Sequence, residues 1–312
     1  MMGSSSPLHL DDNILLSKDV PLFTNENFPC LVKKGHLPED PQTTRSGHER
    51  YHMIARNALR HLTYGTPLRA CHLLTMENFK LLFIKRDTHL LNALRKEMKH
   101  IFFNAFHYLE SRQLTKEAEE RLEVFVVNLL AAYPYLDPKP DEEICLPQKL
   151  DGAWQFVSFR VHKIDISPQT GLLGWLMDDA YRLYAYGLVA EHLALKPYLL
   201  LMGSHYPSGQ GADVNWLYNF QPQKSLGEGH DMTELKKWLI EHPSAKVTGH
   251  SKGGTLAMIL AATFPNLICE ASCLNPAPLS PHTVTRLRKA TELVLDHQPN
   301  VKIYVQNNDP VF

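Results

Sequence analysis

A serine set between glycines carries the chemistry of this sequence. The stretch Val247-Thr248-Gly249-His250-Ser251-Lys252-Gly253-Gly254 holds G-x-S-x-G between a β-prone run, Ala245 to Thr248, and a small-residue helical run, Gly254 to Phe264. A strand that turns straight into a helix forces its central residue into a cramped backbone conformation, and flanking glycines such as Gly249 and Gly253 let strand and helix approach. Ser251 is thereby presented as a nucleophile clear of the sheet. The N–H of Lys252 and the positive end of the helix face the point where charge develops on an attacked carbonyl, which is half of an oxyanion hole. His250 is a strand-to-turn neighbour expected to point away from the hydroxyl, so its expected role is packing.

Two further segments fit the same chemistry. Pro197 to Met202 reads as a strand ending in Gly203-Ser204-His205, where the Ser204 N–H can act as a second oxyanion donor; the other reading is a plain loop. Val301 to Gln306 reads as a strand running into Asn307-Asn308-Asp309-Pro310-Val311. A carboxylate there suits the acid that orients a catalytic histidine, while taken alone Asp309 reads as a turn residue.

The elements that must position these groups follow from periodicity. Apolar residues at Leu90, Leu91, Leu94, Met98, Ile101, Phe102, Ala105 and Leu109 predict a helix from Asp87 to Glu110. A second stripe, Ala118, Leu122, Phe125, Val126, Leu129 and Tyr133, predicts another from Thr115 to the stop at Pro134, and the two suggest a helical hairpin. The aromatic stripe Phe102, Phe103, Phe106 and Tyr108 fits a core face better than a lipid-facing one. Asp137 to Gln148, rich in proline and acid, reads as a linker, and Trp154 to Ile166 alternates as a strand with Val157, Phe159 and Val161 on one face. Before the elbow strand, Asp231 and Glu234 form a capping box for a helix that buries Leu235, Trp238 and Leu239. Upstream, a short helix is expected from Tyr51 to His61.

The resulting organisation is an extended arm over 1–48, a helical region over 49–150 with a lid or partner-binding role, and a hydrolase domain over 151–312. The expected fold class is α/β: an α/β-hydrolase-like, mainly parallel sheet with flanking helices, preceded by the helical N-terminal region.

The three site segments together resemble the class 3 lipases, a family of the α/β-hydrolase fold, over roughly residues 180–312. Gly203-Ser204 stands where that family has its strand-end oxyanion motif, with Met202 where an arginine is frequent, and Trp216 lies in the following turn. Gly249-His250-Ser251-Lys252-Gly253-Gly254 is similar to its elbow, with Lys252 where a leucine is common, and Asn308-Asp309-Pro310-Val311 is similar to its acid motif. The resemblance implies hydrolysis of acylglycerols, phospholipids or related acyl esters through an acyl-enzyme on Ser251, with no metal or organic cofactor.

In that family the catalytic histidine follows the acid, and no histidine follows Asp309 here. Three explanations are open. The sequence is C-terminally incomplete and the base lies in the missing part; or His205, His230 or His282 reaches Ser251; or the chain is a catalytically inactive descendant that binds lipid or protein. A peptidase or thioesterase is a further possibility on the same elbow.

Composition narrows the partners. With 32 Lys+Arg against 33 Asp+Glu, the chain has no global field to recruit nucleic acid or an acidic membrane, so its partner is expected to be a lipid or other acyl-ester substrate met from the water side, with peripheral membrane contact. The N-terminus lacks the basic and apolar regions of a signal peptide, and the longest apolar runs, such as Phe125 to Leu136, fall short of the ~20 residues that span a bilayer. A soluble protein, cytoplasmic or exported by a non-Sec route, is expected. Five scattered cysteines give no disulfide framework, and Cys269 and Cys273 read as small buried hydrophobes on a strand in preference to metal ligands.

Overall fold

The computed structural model describes residues 88–110, 115–167, 183–203, 232–291 and 298–305. The arm, the helix expected at Tyr51 to His61, and Ser204, His205, Trp216, His230, Asp231 and Asp309 lie outside them.

Among the described residues two helices come first, α1 (Thr88–Glu110) and α2 (Lys116–Ala132). All eight apolar positions that define the α1 stripe are buried, as one face of a 3.6-residue period requires. The aromatic stripe divides: Phe102 is in the core, whereas Phe103 is 49% exposed and lies against the rings of His107 and Phe156. Thr115 caps α2 by accepting the Ala118 N–H at 3.3 Å. A 3₁₀ turn (Tyr133–Leu136) containing Pro134 ends it, and Asp137 follows in the left-handed region at φ 49°.

Seven strands follow: β1 (Glu143–Leu150), β2 (Ala153–Asp165), β3 (Tyr184–Ala190), β4 (Tyr198–Leu201), β5 (Ala245–His250), β6 (Ile268–Leu274) and β7 (Asn300–Tyr304). Their order in the sheet is their order in the chain. The β1–β2, β2–β3 and β3–β4 pairs are antiparallel; the β4–β5, β5–β6 and β6–β7 pairs are parallel. This overturns the expectation of an α/β-hydrolase-like, mainly parallel sheet: the sheet is mixed and curled, with helices on its flanks.

The antiparallel half has local causes. Asp151 (φ 51°) and Gly152 (φ 83°) form a two-residue turn with both φ angles positive, the conformation that matches the twist of a tight hairpin. It folds β1 directly back onto β2. Thus the segment read as a linker contributes β1, in which Ile144 and Leu146 are buried. Pro147, which cannot donate to a ladder, is accommodated because β1 pairs only with β2 among the described strands.

The helices α3 (Thr233–Glu241), α4 (Lys252–Thr263) and α5 (Pro281–Thr291) precede β5, β6 and β7 in turn. Strand order never reverses through the parallel half, so right-handed crossovers carry the connecting helices to one face. Core packing agrees. Leu235, Trp238 and Leu239 of α3 and Leu256, Ala257, Leu260 and Ala261 of α4 pack with Leu199, Leu201, Val247, Ala271 and Cys273 of the strands. The opposite face joins α1 and α2 to Ile144, Phe159, Val161, Leu188 and Leu200. Parallel strands need cover on both faces, and the two N-terminal helices supply it on the second. At the start of α3, Met232 holds the N-cap position, and Asp231, the expected partner in the capping box, lies outside the described residues.

Candidate active site

Parallel pairing brings the carboxyl ends of β4 to β7 to one edge of the sheet, with Leu201 level with Gly249, and His250 level with Leu274, itself level with Tyr304. Crevices outside such ends are where sheets of this type bind ligands. Ser251 sits there as the single residue between β5 and α4, at φ 53° and ψ −122°. That conformation is costly for a residue with a side chain and persists only where its surroundings enforce it. Here they do. The Ser251 N–H donates to Leu274 O at 2.9 Å, and Ser251 O accepts the Thr255 N–H at 3.0 Å. Thr255 Oγ1 in turn donates to Ala277 O at 2.7 Å, tying α4 to the loop after β6.

The two glycines of the motif make this junction possible. A Cβ on Gly249 would overlap the backbone of Gly253, and a Cβ on Gly253 would overlap the carbonyl of Leu201 at the end of β4. Any side chain at either position would drive helix and strand apart.

The first-turn N–H groups of α4, beginning with Lys252, have no carbonyl one turn back within the helix, and the helix dipole adds positive potential at the same place. An oxyanion formed beside Ser251 meets both. The Lys252 side chain is almost wholly buried, at 1% exposure, and desolvation pulls its ammonium down to about 8. Sequence reasoning used only the backbone of this residue.

A tyrosine that no motif signalled reaches the same edge. The Tyr135 hydroxyl and the His250 carbonyl oxygen both occupy the space where a side chain on Gly203 would stand. The Gly203 N–H donates to Tyr135 Oη, and burial dominates over that bond to push the phenol up to about 12, which keeps it protonated at neutral pH. Tyr135 belongs to the 3₁₀ turn after α2, and that turn is clamped. Arg95 Nη1 donates to Leu136 O at 2.5 Å and to Asp137 O at 2.9 Å, while Arg95 Nε lies 3.4 Å from Glu142 Oε2. Asp137 Oδ1 accepts from Lys163 Nζ at 3.2 Å and from Tyr186 Oη at 2.9 Å.

Of the residues expected to act together, the described structure contains Ser251, Lys252, Gly249 and Gly253, and unites them in one turn. Ser204, Asp309, His205 and His230 lie outside the described residues. His282 stands exposed in the first turn of α5, and among the described residues no histidine hydrogen-bonds Ser251 Oγ. On β6, Cys273 is fully buried, and burial pushes its thiol up to about 12; Cys269 Sγ donates to Ser244 O at 3.0 Å. No group of three or more potential metal ligands occurs among the described residues. No helix among them is long and apolar enough to cross a membrane.

No protein-family model, curated protein sequence or solved structure matches the chain.

Proposed function

We propose that the chain is a serine hydrolase of acyl esters, acting on lipids of the acylglycerol or phospholipid kind through Ser251. The observation that carries the proposal is the backbone of Ser251: a positive φ of 53° at a strand-to-helix junction, held by the Leu274 carbonyl and by two glycines that leave no space for a side chain. A serine that served only to cap a helix would gain nothing from that conformation, whereas a nucleophile gains exposure above the strand ends and the helix N–H groups beside it. The resemblance of three motifs to the class 3 lipases supports the substrate class.

In the proposed reaction Ser251 Oγ adds to the acyl carbon while its proton passes to an imidazole, with His205, His230 and His282 as candidates in this chain. The carbonyl electron pair moves onto oxygen and is stabilised by the Lys252 N–H. Collapse breaks the ester C–O bond, and the departing alcohol takes the proton from the imidazolium. Water repeats the sequence on the acyl-enzyme and releases the carboxylic acid. Asp309 is the proposed acid that orients the imidazole, and Ser204 N–H the proposed second donor.

A fluorophosphonate probe on the full chain, together with a panel of ester, thioester and amide substrates, tests this. Covalent labelling and ester turnover that both vanish in Ser251→Ala are expected. A chain that neither labels nor turns over any member of the panel defeats the proposal in favour of a binding module.

A further inference from the structure

We propose that Thr255 is a positioning residue of the Ser251 site: its buried hydroxyl locks the segment 274–277 at the end of β6, which holds the nucleophile on one side and the end of β7 on the other. The inference rests on the serine-hydrolase proposal and deepens it.

Three observations point to it. The first is place. Thr255 lies fully buried in the first turn of α4, and its N–H donates to Ser251 O at 3.0 Å. Its Oγ1 is 2.7 Å from Ala277 O and 3.3 Å from Ser251 O. A hydroxyl has one proton, and the shorter contact, to Ala277, takes it. The second is what the segment carries. Leu274 O accepts the Ser251 N–H at 2.9 Å, and the next residue, Asn275, donates its N–H to Tyr304 O at 2.7 Å. Two consecutive residues thus tie the nucleophile to the end of β7, the strand that leads on in sequence to Asp309, the proposed acid. The third is strain. Ser251 and Asn275 both carry side chains at positive φ, 53° and 40°, which persists only where neighbouring bonds enforce it. Pro276 follows Asn275 and has no N–H to give, so the Thr255 hydroxyl supplies the bond on the far side of the strained residue. Helix and segment are in close contact at that point: a Cβ on Gly254 would stand 3.2 Å from Pro276 Cβ and 3.3 Å from Leu274 O.

The role is geometric and moves no proton. Attack requires the reacting atoms to be held about 3–3.5 Å apart with aligned orbitals, and the backbone direction at Ser251 sets where Oγ stands. Without the bond to Ala277, Asn275 is released toward a relaxed φ. The Leu274 carbonyl turns with it, and the bonds to Ser251 and Tyr304 leave register together. A misplacement of ~1 Å at the nucleophile costs on the order of 100-fold in rate.

The test uses the full chain, a p-nitrophenyl ester, and Thr255→Val and Thr255→Ser beside Ser251→Ala. Turnover is counted per site labelled by a fluorophosphonate, so that unfolded protein does not enter kcat. Valine keeps the shape and removes the donor, and is expected to lower kcat by at least about tenfold with KM within about twofold. Serine restores the donor and is expected to bring kcat back to within about threefold of wild type. A smaller loss in Thr255→Val, where Ser251→Ala is inactive, overturns the role of Thr255 and leaves the serine proposal standing. A serine variant as slow as the valine one also overturns it, since lost packing would then be the cause. A wild-type chain that neither turns over nor labels overturns both proposals. Should the valine variant fail to fold, Thr255→Cys offers a thiol, a weak donor, in place of the hydroxyl. Its kcat is expected to lie at least about fivefold below that of Thr255→Ser, and a smaller difference overturns the proposal.

Discussion

The backbone carbonyl of Leu201 stands in the space into which any side chain at Gly253 would project. Strand β4 and helix α4 are therefore in contact through main-chain atoms, with Ser251 mounted on the junction. A backbone wall cannot turn aside as a flexible side chain can. Gly253→Ala is expected to lower stability by at least about 2 kcal/mol and to suppress labelling of Ser251, as measured by urea unfolding and by probe incorporation. An alanine variant of unchanged stability would show that helix and strand can part without cost.

The strain at Ser251 predicts a trade between stability and chemistry. Glycine adopts φ 53°, ψ −122° without the penalty a Cβ brings, so Ser251→Gly is expected to be more stable than the native chain by about 1–2 kcal/mol and chemically inert. Ser251→Ala should be equally inert but should not share the gain. Parallel denaturation of the three proteins checks this, and equal midpoints for glycine and alanine would argue that the junction is relaxed.

The strand-to-helix junction at Ser251 was legible in the sequence, and the reason is local. Gly249, Ser251 and Gly253 lie within five residues of one another, and the strand and helix around them follow from Ala245 to Thr248 and from the small residues after Gly254. The stripes of α1 and α2 were legible for the same reason. Sheet direction was not. Asp151-Gly152 carried the hairpin signal, but the proline and acids of residues 137–148 suggested a linker, and β1 went unseen. Tyr135 was less legible still. Its importance depends on Gly203, 68 residues further along the chain, and on the register that brings β4 beside β5. No spacing within Tyr133-Pro134-Tyr135-Leu136 encodes that meeting.

Lys252 makes stability depend on pH in a definite direction. Its ordinary value is 10.5, and in the folded chain burial lowers it to about 8. Between those values the unfolded chain holds a proton that the folded chain has released, so this group makes stability rise with pH through that window. Below it, both states carry the charge and the folded state bears the full cost of burying it. Lys252→Met, close in length and shape, is expected to be more stable than the native chain near neutral pH by on the order of 2–3 kcal/mol. The advantage should shrink as pH rises through the window. Thermal melts across pH 7 to 10 decide the matter, and an advantage that stays constant with pH would exclude this cause.

Arg95 is 6% exposed and spends one guanidinium on Asn92, two backbone carbonyls and Glu142. Lysine retains the charge but lacks the planar fork that spans these partners. Arg95→Lys is expected to lose about 1–3 kcal/mol of stability. Urea unfolding curves of the two proteins check this, and a variant of unchanged stability would show that the fork of contacts contributes nothing.

The strand order has a consequence for how the protein is made. Every described strand lies beside its predecessor in the chain, so none has to be inserted between two that have already paired. A nascent chain can lay this sheet down in the order in which it leaves the ribosome, beginning with a hairpin whose loop is only Asp151 and Gly152. Each later strand then meets a finished edge as its template. The serine emerges after β4 has formed the surface it will rest against, so the machinery of the site can assemble during synthesis, one layer at a time.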